Sequence, residues 1–234
     1  LMSVEFWIMG AGRPGRPGSN VFSGTRQAIV AEEIGYDGIA YVDSQNLSGD
    51  CYVALALAAQ ATSSIKLGTG VTNSFTRHPA ATASAIASIQ MESDGRAYLG
   101  IGRGDSALAH LGRAPHSVTE FENYLEQLQN YLRGNEVAFE DGGDLGSLGL
   151  AGNATSSRIS WIAWIQPKVP VDGAATGPRV IAAAARHADR ISLNVGADVE
   201  RVIWGMDVAR DARAKAGITA DIPFTAYISL VVHD

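Results

Sequence analysis

Residues 65–102 read IKLGTGVTNSFTRHPAATASAIASIQMESDGRAYLGIG, and this stretch decides the fold. It begins with a short apolar run, Ile65–Gly70, which is typical of a buried strand. An alanine-rich helix is predicted over Ala80–Met91, and Pro79 suits its first turn because a helix start leaves that N–H unbonded anyway. A second apolar run, Ala97–Gly102, predicts another strand. Together they indicate a parallel β-α-β unit.

The same alternation extends in both directions along the chain, so the sequence predicts a parallel sheet with helical crossovers. Its regular spacing favours an α/β fold of the (β/α)8 TIM barrel type, one domain over residues 1–234, rather than a doubly wound open sheet. Because seven strands are predicted where a barrel has eight, we expect the barrel to be incomplete at the C-terminus of this chain. The further predicted strands are 4–9, 38–43, 169–174, 190–195 and 224–232, and the further predicted helices are 25–34, 50–61, 118–133, 178–187 and 198–216.

The composition limits the classes of protein to consider. Of the 234 residues, 46% are hydrophobic and 18% charged, which fits one folded domain and excludes a disordered or coiled-coil chain. The net charge of −6 disfavours nucleic-acid binding, because phosphate contacts need clustered cations. The single cysteine, Cys51, excludes an intrachain disulfide and a cysteine zinc site. Neither a membrane span nor a signal peptide is predicted, so we expect a cytoplasmic protein without a membrane partner.

Residues 10–15, GAGRPG, match the G-x-G-x-x-G pattern of dinucleotide-binding folds. That motif requires a helix to open within it, so that the helix N-terminus meets the pyrophosphate. Pro14 and Pro17, with the glycines beside them, prevent such a helix. We therefore interpret residues 10–18 as a surface loop, in which Arg13 and Arg16 are solvated.

Polar residues at the carboxyl ends of the predicted strands are the candidates for a site, because barrel enzymes place their catalytic residues there. Asp43 closes the second strand, where a site role and a helix-capping role are equally compatible with the pattern. Arg103 and Asp105 follow the fourth strand, whose alternating glycines leave room for a large planar ligand. A tight turn with a solvated ion pair is the alternative there. His78, directly before a proline, is better interpreted as a helix cap than as a catalytic residue.

Residues 174–179, AATGPR, lie between a predicted strand and a predicted helix. Thr176 and Gly177 present free backbone N–H groups where Pro178 fixes the first helical turn, and Arg179 adds a positive charge. Such a helix N-terminus favours an anion, and late strand–helix loops of barrels often bind phosphate. An ordinary capped helix remains an equal alternative from the pattern alone.

Residues 135–167 interrupt the alternation with a glycine-rich patch and the apolar segment SWIAWIQ. We interpret them as an irregular insertion or lid within the single domain. Trp161 and Trp164 are too apolar for a solvated loop, so they indicate a lid or an interface, with core packing as the alternative.

Four segments of the chain, in a fixed order, carry a resemblance to a known family. They are AEEIGYDGIAYVDS (31–44), IKLGTGVTNSFTRHPAATASAIASIQ (65–90), GRAYLGIGRGD (95–105) and VPVDGAATGPRVIAAAARHADRISLNVG (169–196). Together they resemble the luciferase-like monooxygenase superfamily, and within it the chain is most similar to the branch of methylenetetrahydromethanopterin reductases and other enzymes that depend on coenzyme F420. The resemblance covers the chain from Glu5 to about Asp234, and it implies a (β/α)8 barrel with a flavin or deazaflavin at the carboxyl ends of the strands.

The resemblance also implies roles for single residues. It implies a cis peptide between Gly70 and Val71 that backs the flavin ring, and a cofactor-phosphate site at residues 176–178. Ser44 departs from the pattern, since many relatives carry Asp-His where this chain has Asp-Ser, which disfavours a sugar-phosphate dehydrogenase. The catalytic candidates are Asp43, Ser44 and Asp105, and the cofactor-binding candidates are Gly70, Val71, Thr72, Gly102, Arg103, Gly104, Thr176, Gly177, Pro178 and Arg179.

The expected function is hydride transfer between the cofactor and a small organic substrate above its ring, with F420 favoured over FMN. An FMN-dependent monooxygenase that uses oxygen is one alternative. A barrel enzyme of another class, such as an isomerase, is a second. A non-catalytic cofactor-binding barrel is a third, and the missing histidine at Ser44 supports it. We expect a small-molecule substrate, no metal, and a homodimer.

Overall fold

The computed structural model describes residues 4–10, 24–139 and 154–230. The glycine-proline loop with Arg13 and Arg16 therefore lies outside the described residues, apart from its first glycine. The strands are β1 Trp7–Gly10, β2 Gly38–Tyr41, β3 Lys66–Asn73, β4 Ala97–Gly102, β5 Val137–Ala138, β6 Ser156–Ser157, β7 Val171–Ala175, β8 Arg190–Leu193 and β9 Phe224–Ala226. The α-helices are α1 Gly24–Glu33, α2 Cys51–Ala61, α3 Pro79–Glu92, α4 Asp105–Ala109, α5 Val118–Arg133, α6 Pro178–His187 and α7 Val199–Lys215.

Seven of the described strands form one parallel sheet in the order β1-β2-β3-β4-β7-β8-β9. The sheet is curled, because side chains of distant strands meet inside it. Trp7 on β1 and Tyr98 on β4 have ring centroids 4.8 Å apart, although three strand spacings in a flat sheet would separate them by about 14 Å. The predicted barrel, incomplete in the described part of the chain, is confirmed, and a flat doubly wound sheet is excluded.

The helices pack on the outer face of this curled sheet and form the hydrophobic core with it. The outward side chains of the strands, such as Ile39, Leu99 and Ile191, are 0–1% exposed. Alanine-rich helices suit this layer because small side chains let a helix approach the sheet closely. A methyl group on Gly173 of β7 would lie 2.6 Å from the Ala184 Cβ of α6, so only glycine permits this contact.

Local signals in the sequence account for the ends of the helices. Asp50 accepts hydrogen bonds from the backbone N–H groups of residues 52 and 53 and so caps α2. The Nδ1 atom of His78 accepts one from Ala80 N at 3.2 Å, which confirms its interpretation as the cap of α3. Ser117 and Glu120 form a capping box at the start of α5.

Two parts of the fold differ from the sequence prediction. The helix α4 was not predicted, because five residues are too few to show a helical period. The last strand ends at Ala226 instead of Val232. Its neighbour β8 ends opposite, at Leu193, so no ladder extends farther among the described residues.

The insertion at residues 135–167 contains a short antiparallel pair of strands, β5 with β6, and a 3-10 helix over Ile162–Trp164. Its described parts connect the C-terminus of α5 to β7, and the Tyr131 hydroxyl of α5 lies 2.7 Å from Ser157 Oγ of β6. Core packing of the tryptophans is wrong, since Trp161 is 37% and Trp164 85% exposed. A lid role stays a prediction, because residues 140–153 are outside the described ranges.

A buried carboxyl group inside the barrel was not predicted. Asp172 of β7 is fully buried, and its Oδ2 atom accepts hydrogen bonds from the hydroxyls of Tyr98, Ser192 and Thr225. These come from three other strands, so the carboxyl group links much of the interior. Burial raises the pKa of Asp172 to about 6, despite the opposing effects of the Ser192 hydroxyl and the nearby Arg190.

Replacement of Asp172 by asparagine should change how stability depends on pH. Between its ordinary pKa of 3.8 and about 6, the native carboxyl group binds more protons than the unfolded one, so its contribution to the free energy of unfolding falls as pH rises. We expect the stability of Asp172→Asn relative to wild type to rise by about 1–3 kcal/mol from pH 4 to pH 7. Urea unfolding at both pH values measures this. Asp211→Asn, which removes an exposed carboxylate, is the control, and an equal trend there would contradict the assignment.

None of the helices in the described ranges is long and apolar enough to cross a membrane.

Candidate functional site

The candidate residues lie at the carboxyl ends of four neighbouring strands. Because β2, β3, β4 and β7 are adjacent and parallel, the residues after them share one rim of the barrel. That rim is where barrel enzymes bind their ligands. Asp43 and Ser44 follow β2, residues 71–73 end β3, residues 102–105 follow β4, and residues 176–179 follow β7.

A bulge in β3 forms the floor of this rim. Thr69 pairs with Leu99 of β4 and Thr72 with Ile101, so between these two pairs β3 contains one residue more than β4. The peptide between Gly70 and Val71 is cis, as expected. Val71 is 37% exposed, which agrees with a position at the open rim.

Glycines on β4 give the Val71 side chain its place. A methyl group on Gly100 would overlap the carbonyl oxygen of Thr69 and lie 3.1 Å from Val71 Cγ1. A methyl group on Gly102 would lie 3.4 Å from Val71 Cγ2, an ordinary contact. The isopropyl group of Val71 therefore rests on the part of β4 where Gly100 and Gly102 carry no side chain, and the rim has an apolar floor there.

Asp43 does not lie on this floor. Its side chain is 9% exposed, and its Oδ2 atom accepts a hydrogen bond of 2.6 Å from Thr72 Oγ1. Burial, together with the nearby Asp43 carboxylate, raises the pKa of the thiol of Cys51, the first residue of α2. The capping interpretation of Asp43 is wrong, since Asp50 caps α2. Ser44 is half-buried, and its carbonyl accepts from the N–H groups of residues 47 and 48.

The side chains of Arg103 and Asp105, which follow β4, have different surroundings. Arg103 Nε donates to the His116 carbonyl at 2.5 Å, and His116 N donates back to the Arg103 carbonyl at 3.3 Å. Arg103 thus fastens the segment before α5 to the end of β4. Asp105 is exposed at the start of α4. Within the described ranges no ion pair joins the two, so the proposed alternative of a solvated pair is wrong.

Between Arg103 and Asp105, Gly104 has a φ of 96°. A side chain there would also press on Leu108 at 2.9 Å and on Asn73 at 3.0 Å. Glycine is therefore required for the turn from β4 into α4.

The N-terminus of α6 is open to a ligand. Gly177 is its cap residue, no side chain caps the helix, and Pro178 opens its first turn. A Cβ added at Gly177 would meet nothing within 4 Å. Thr176 and Arg179 are exposed beside it. The first-turn N–H groups have no acceptor within the helix, so they are available to a ligand, and the exposed Arg179 lies in the same turn.

Some residues of the rim were missed from the sequence. Gln45 Nε2 donates to the Ala107 carbonyl at 3.0 Å and Asn46 Nδ2 to the His110 carbonyl at 2.9 Å, so the loop after β2 is bound to α4 and its end. Ser74 Oγ lies 3.0 Å from His116 Nδ1. The signal that could have found these residues is their position directly after a strand, because polar side chains there face the rim.

The structure brings Val71 together with Gly100 and Gly102 of β4, and Thr72 together with Asp43, whereas Asp105 is exposed. In the described part of the chain, no group of histidine, cysteine, aspartate and glutamate side chains could hold a metal ion.

Gly100 and Gly102 should respond differently to substitution by alanine. Gly100→Ala must displace the Thr69 carbonyl and Val71, so we expect a loss of about 1–3 kcal/mol in the free energy of unfolding. Gly102→Ala adds a methyl group at an ordinary contact distance and is the matched control, with a smaller loss. Urea unfolding at neutral pH measures both. Equal losses would show that the bulge does not depend on the bare backbone at Gly100.

Comparisons with known proteins agree with this geometry. Residues 4–234 match the family model described as luciferase-like monooxygenase. Over 213 residues the chain is 30% identical to 5,10-methylenetetrahydromethanopterin reductase of Methanolobus tindarius, a match that covers 90% of this chain and 62% of that protein.

Solved structures are similar as well. The coenzyme F420 dependent tetrahydromethanopterin reductase of Methanopyrus kandleri superimposes with a TM-score of 0.75 at 26% identity, covering 97% of this chain and 66% of that chain. An F420-dependent secondary alcohol dehydrogenase shares the fold, with a TM-score of 0.73 at 17% identity over 96% of this chain and 68% of that chain. The chain spans less than two thirds of the length of both reductases that it matches.

Proposed function

Because the chain belongs to the luciferase-like monooxygenase family, we propose that it is an F420-dependent oxidoreductase that acts on a small organic substrate. The observation that carries this proposal is the glycine-backed floor at Val71, on the same rim as the open N-terminus of α6. A planar ring fits the first feature and a phosphate fits the second. The similarity to a reductase named for coenzyme F420 favours the deazaflavin over FMN.

When bound, F420 supplies a hydride donor or acceptor at C5, and the protein orients the substrate and gives or takes up the proton. Val71 would close one face of the ring, so the substrate would lie on the other face, toward Ser44 and Asp105. Asp105 would hold or release a proton there, as the exposed carboxylate of this part of the rim. The cofactor would be held at residues 70–72 and 102–104 around the ring and at residues 176–179 around the phosphate.

Titration of the purified protein with F420 and, separately, with FMN tests the proposal. We expect the absorbance and fluorescence of F420 to change at a lower concentration than those of FMN. Tighter binding of FMN would favour the second candidate, an FMN-dependent monooxygenase. Binding of F420 without turnover of any tested substrate would favour a non-catalytic cofactor-binding barrel. Binding of neither cofactor would contradict the proposal.

Arg179→Ala should weaken the binding of the phosphorylated cofactor. The guanidinium beside the first-turn N–H groups of α6 would form charge-assisted hydrogen bonds with a phosphate, so we expect a loss of affinity of about tenfold or more. The deazaflavin without its phosphate-bearing side chain should bind both proteins alike. Lys215→Ala, which removes one exposed positive charge at the far end of α7, is the control. Equal weakening of both cofactor forms would contradict a phosphate contact.

The proposal includes a homodimer, supported by a double stripe of exposed aliphatic side chains on two neighbouring helices. Val30 lies on α1 and Ile34 directly follows that helix, while Val53 and Leu57 lie one turn apart on α2, with exposures of 36–65%. Exposed apolar side chains on two helices that pack together favour association. We also propose a cytoplasmic location, since the one cysteine, Cys51, is buried and unpaired and suits a reducing compartment.

Leu57→Glu should convert the proposed dimer into a monomer, because a charge in the middle of an apolar interface is left without solvent. Sedimentation velocity at micromolar concentration measures the oligomeric state. Ile203→Glu places the same charge on α7, at a side chain of similar exposure, and should leave the dimer intact. A wild-type monomer, or dissociation by both variants, would contradict the assignment of this surface.

A further inference from the structure

The carboxylate of Asp43 is held in a way that does not suit a proton donor to a ligand above the floor. It is almost fully buried. Its hydrogen-bond donor, Thr72, belongs to β3, and its charge acts on the thiol of Cys51 at the start of α2, in the helical layer outside the sheet. A group that exchanges protons with a substrate must come within hydrogen-bond reach of it.

A neutral donor holds this carboxylate. The Thr72 hydroxyl donates to Oδ2 at 2.6 Å, and the nearby Cys51 thiol is neutral, because burial and the Asp43 carboxylate raise its pKa. The cation of this region, Arg77, pairs instead with Asp50 Oδ2 at 2.6 Å and lies over the Tyr52 ring at 4.6 Å. Hydrogen bonds from neutral donors to an ionised acceptor are short and strong, which suits a fixed anchor.

The anchored residue is the direct neighbour of Val71. Thr72 is 0% exposed and resumes the pairing with β4 after the bulge, opposite Ile101. The extra residue of a bulge lacks a ladder partner of its own. The position of Val71 therefore depends on its neighbours, and Thr72 is the neighbour that a charged group holds.

We infer that Asp43 is a positioning residue, which acts through Thr72 to fix Val71 behind the ring, and that it does not exchange protons with the substrate. The inference rests on the proposed function for the identity of the ring. It separates the three catalytic candidates into two roles, since Asp43 orders the floor while Ser44 and Asp105 face the ligand.

Variants at both ends of the hydrogen bond test this inference. Asp43→Asn and Thr72→Val should each increase hydrogen–deuterium exchange at residues 69–74 in the protein without cofactor, and each should weaken F420 binding by about tenfold, the effect of losing a strong hydrogen bond. The double variant should lose no more than either single variant, because both remove one interaction. Thr72→Ser keeps the hydroxyl and should restore protection and affinity. Asp50→Asn, which removes the neighbouring carboxylate, should leave exchange at residues 69–74 unchanged.

The pH profile of kcat/KM separates a positioning role from a catalytic one. Asp43→Asn should keep both limbs of the wild-type profile, whereas Asp105→Asn should lose one. If Asp43→Asn instead keeps the protection and the affinity but loses a limb of the profile, Asp43 is a catalytic residue and the inference is wrong. Equal hydrogen–deuterium exchange in Thr72→Val and Thr72→Ser would also overturn the inference. If Asp43→Asn fails to fold, the comparison of these two Thr72 variants is the test of the inference. If the wild-type protein binds neither cofactor, the proposed function fails, and the exchange data alone decide whether Asp43 orders residues 69–74.

Discussion

The rim of this barrel depends on a steric constraint between β3 and β4. One strand carries an extra residue, and the other must leave room for the displaced carbonyl of Thr69 and for the side chain of Val71. Gly100 provides this room because it has no Cβ. The bulge turns Val71 toward the rim and Thr72 toward the helices, where the Thr72 hydroxyl donates a hydrogen bond to Asp43. The floor of the site and the buried anchor below it are thus consequences of the same extra residue.

The interior of the barrel below this floor is polar where most barrels are apolar. Asp172 collects hydroxyl groups from β4, β8 and β9, and the Arg190 guanidinium lies 5.5 Å from the centre of the Tyr98 ring. Burial of a carboxyl group is unfavourable unless it is hydrogen-bonded, so this cluster stabilises the fold only as a complete set. Small residues above it, such as Gly100 and Ala174, leave the rim open while the lower part is filled.

Much of the fold could be predicted because it is determined by residues that are close together in the sequence. The strand–helix alternation, the caps at Asp50 and His78 and the glycine that ends α5 each need only a few neighbouring residues. The cis peptide at Gly70–Val71 could be located because the resemblance to a family implies it, and residues 176–179 could be proposed to bind an anion because they lie between a strand and a helix. The burial of Asp43 could not, since it depends on Thr72, a residue of another strand. The cluster at Asp172 and the attachment of Gln45 and Asn46 to α4 and its end were missed for the same reason, because each joins residues more than 50 positions apart.

The burial of Asp43 affects how the serine at position 44, where many relatives carry histidine, is interpreted. If Asp43 were an acid above the floor, a neighbouring serine in place of histidine would still leave one ionisable group after β2. With Asp43 turned toward α2, the end of β2 offers the ligand only the Ser44 hydroxyl, which neither gains nor loses a proton near neutral pH. Proton exchange would then fall to the end of β4, where Asp105 is exposed at the start of α4. Because Gln45 and Asn46 bind α4 and its end to the loop after β2, the hydroxyl and the carboxylate are carried by one connected wall. The identity of the substrate would accordingly be set by what fits between this wall and the floor at Val71.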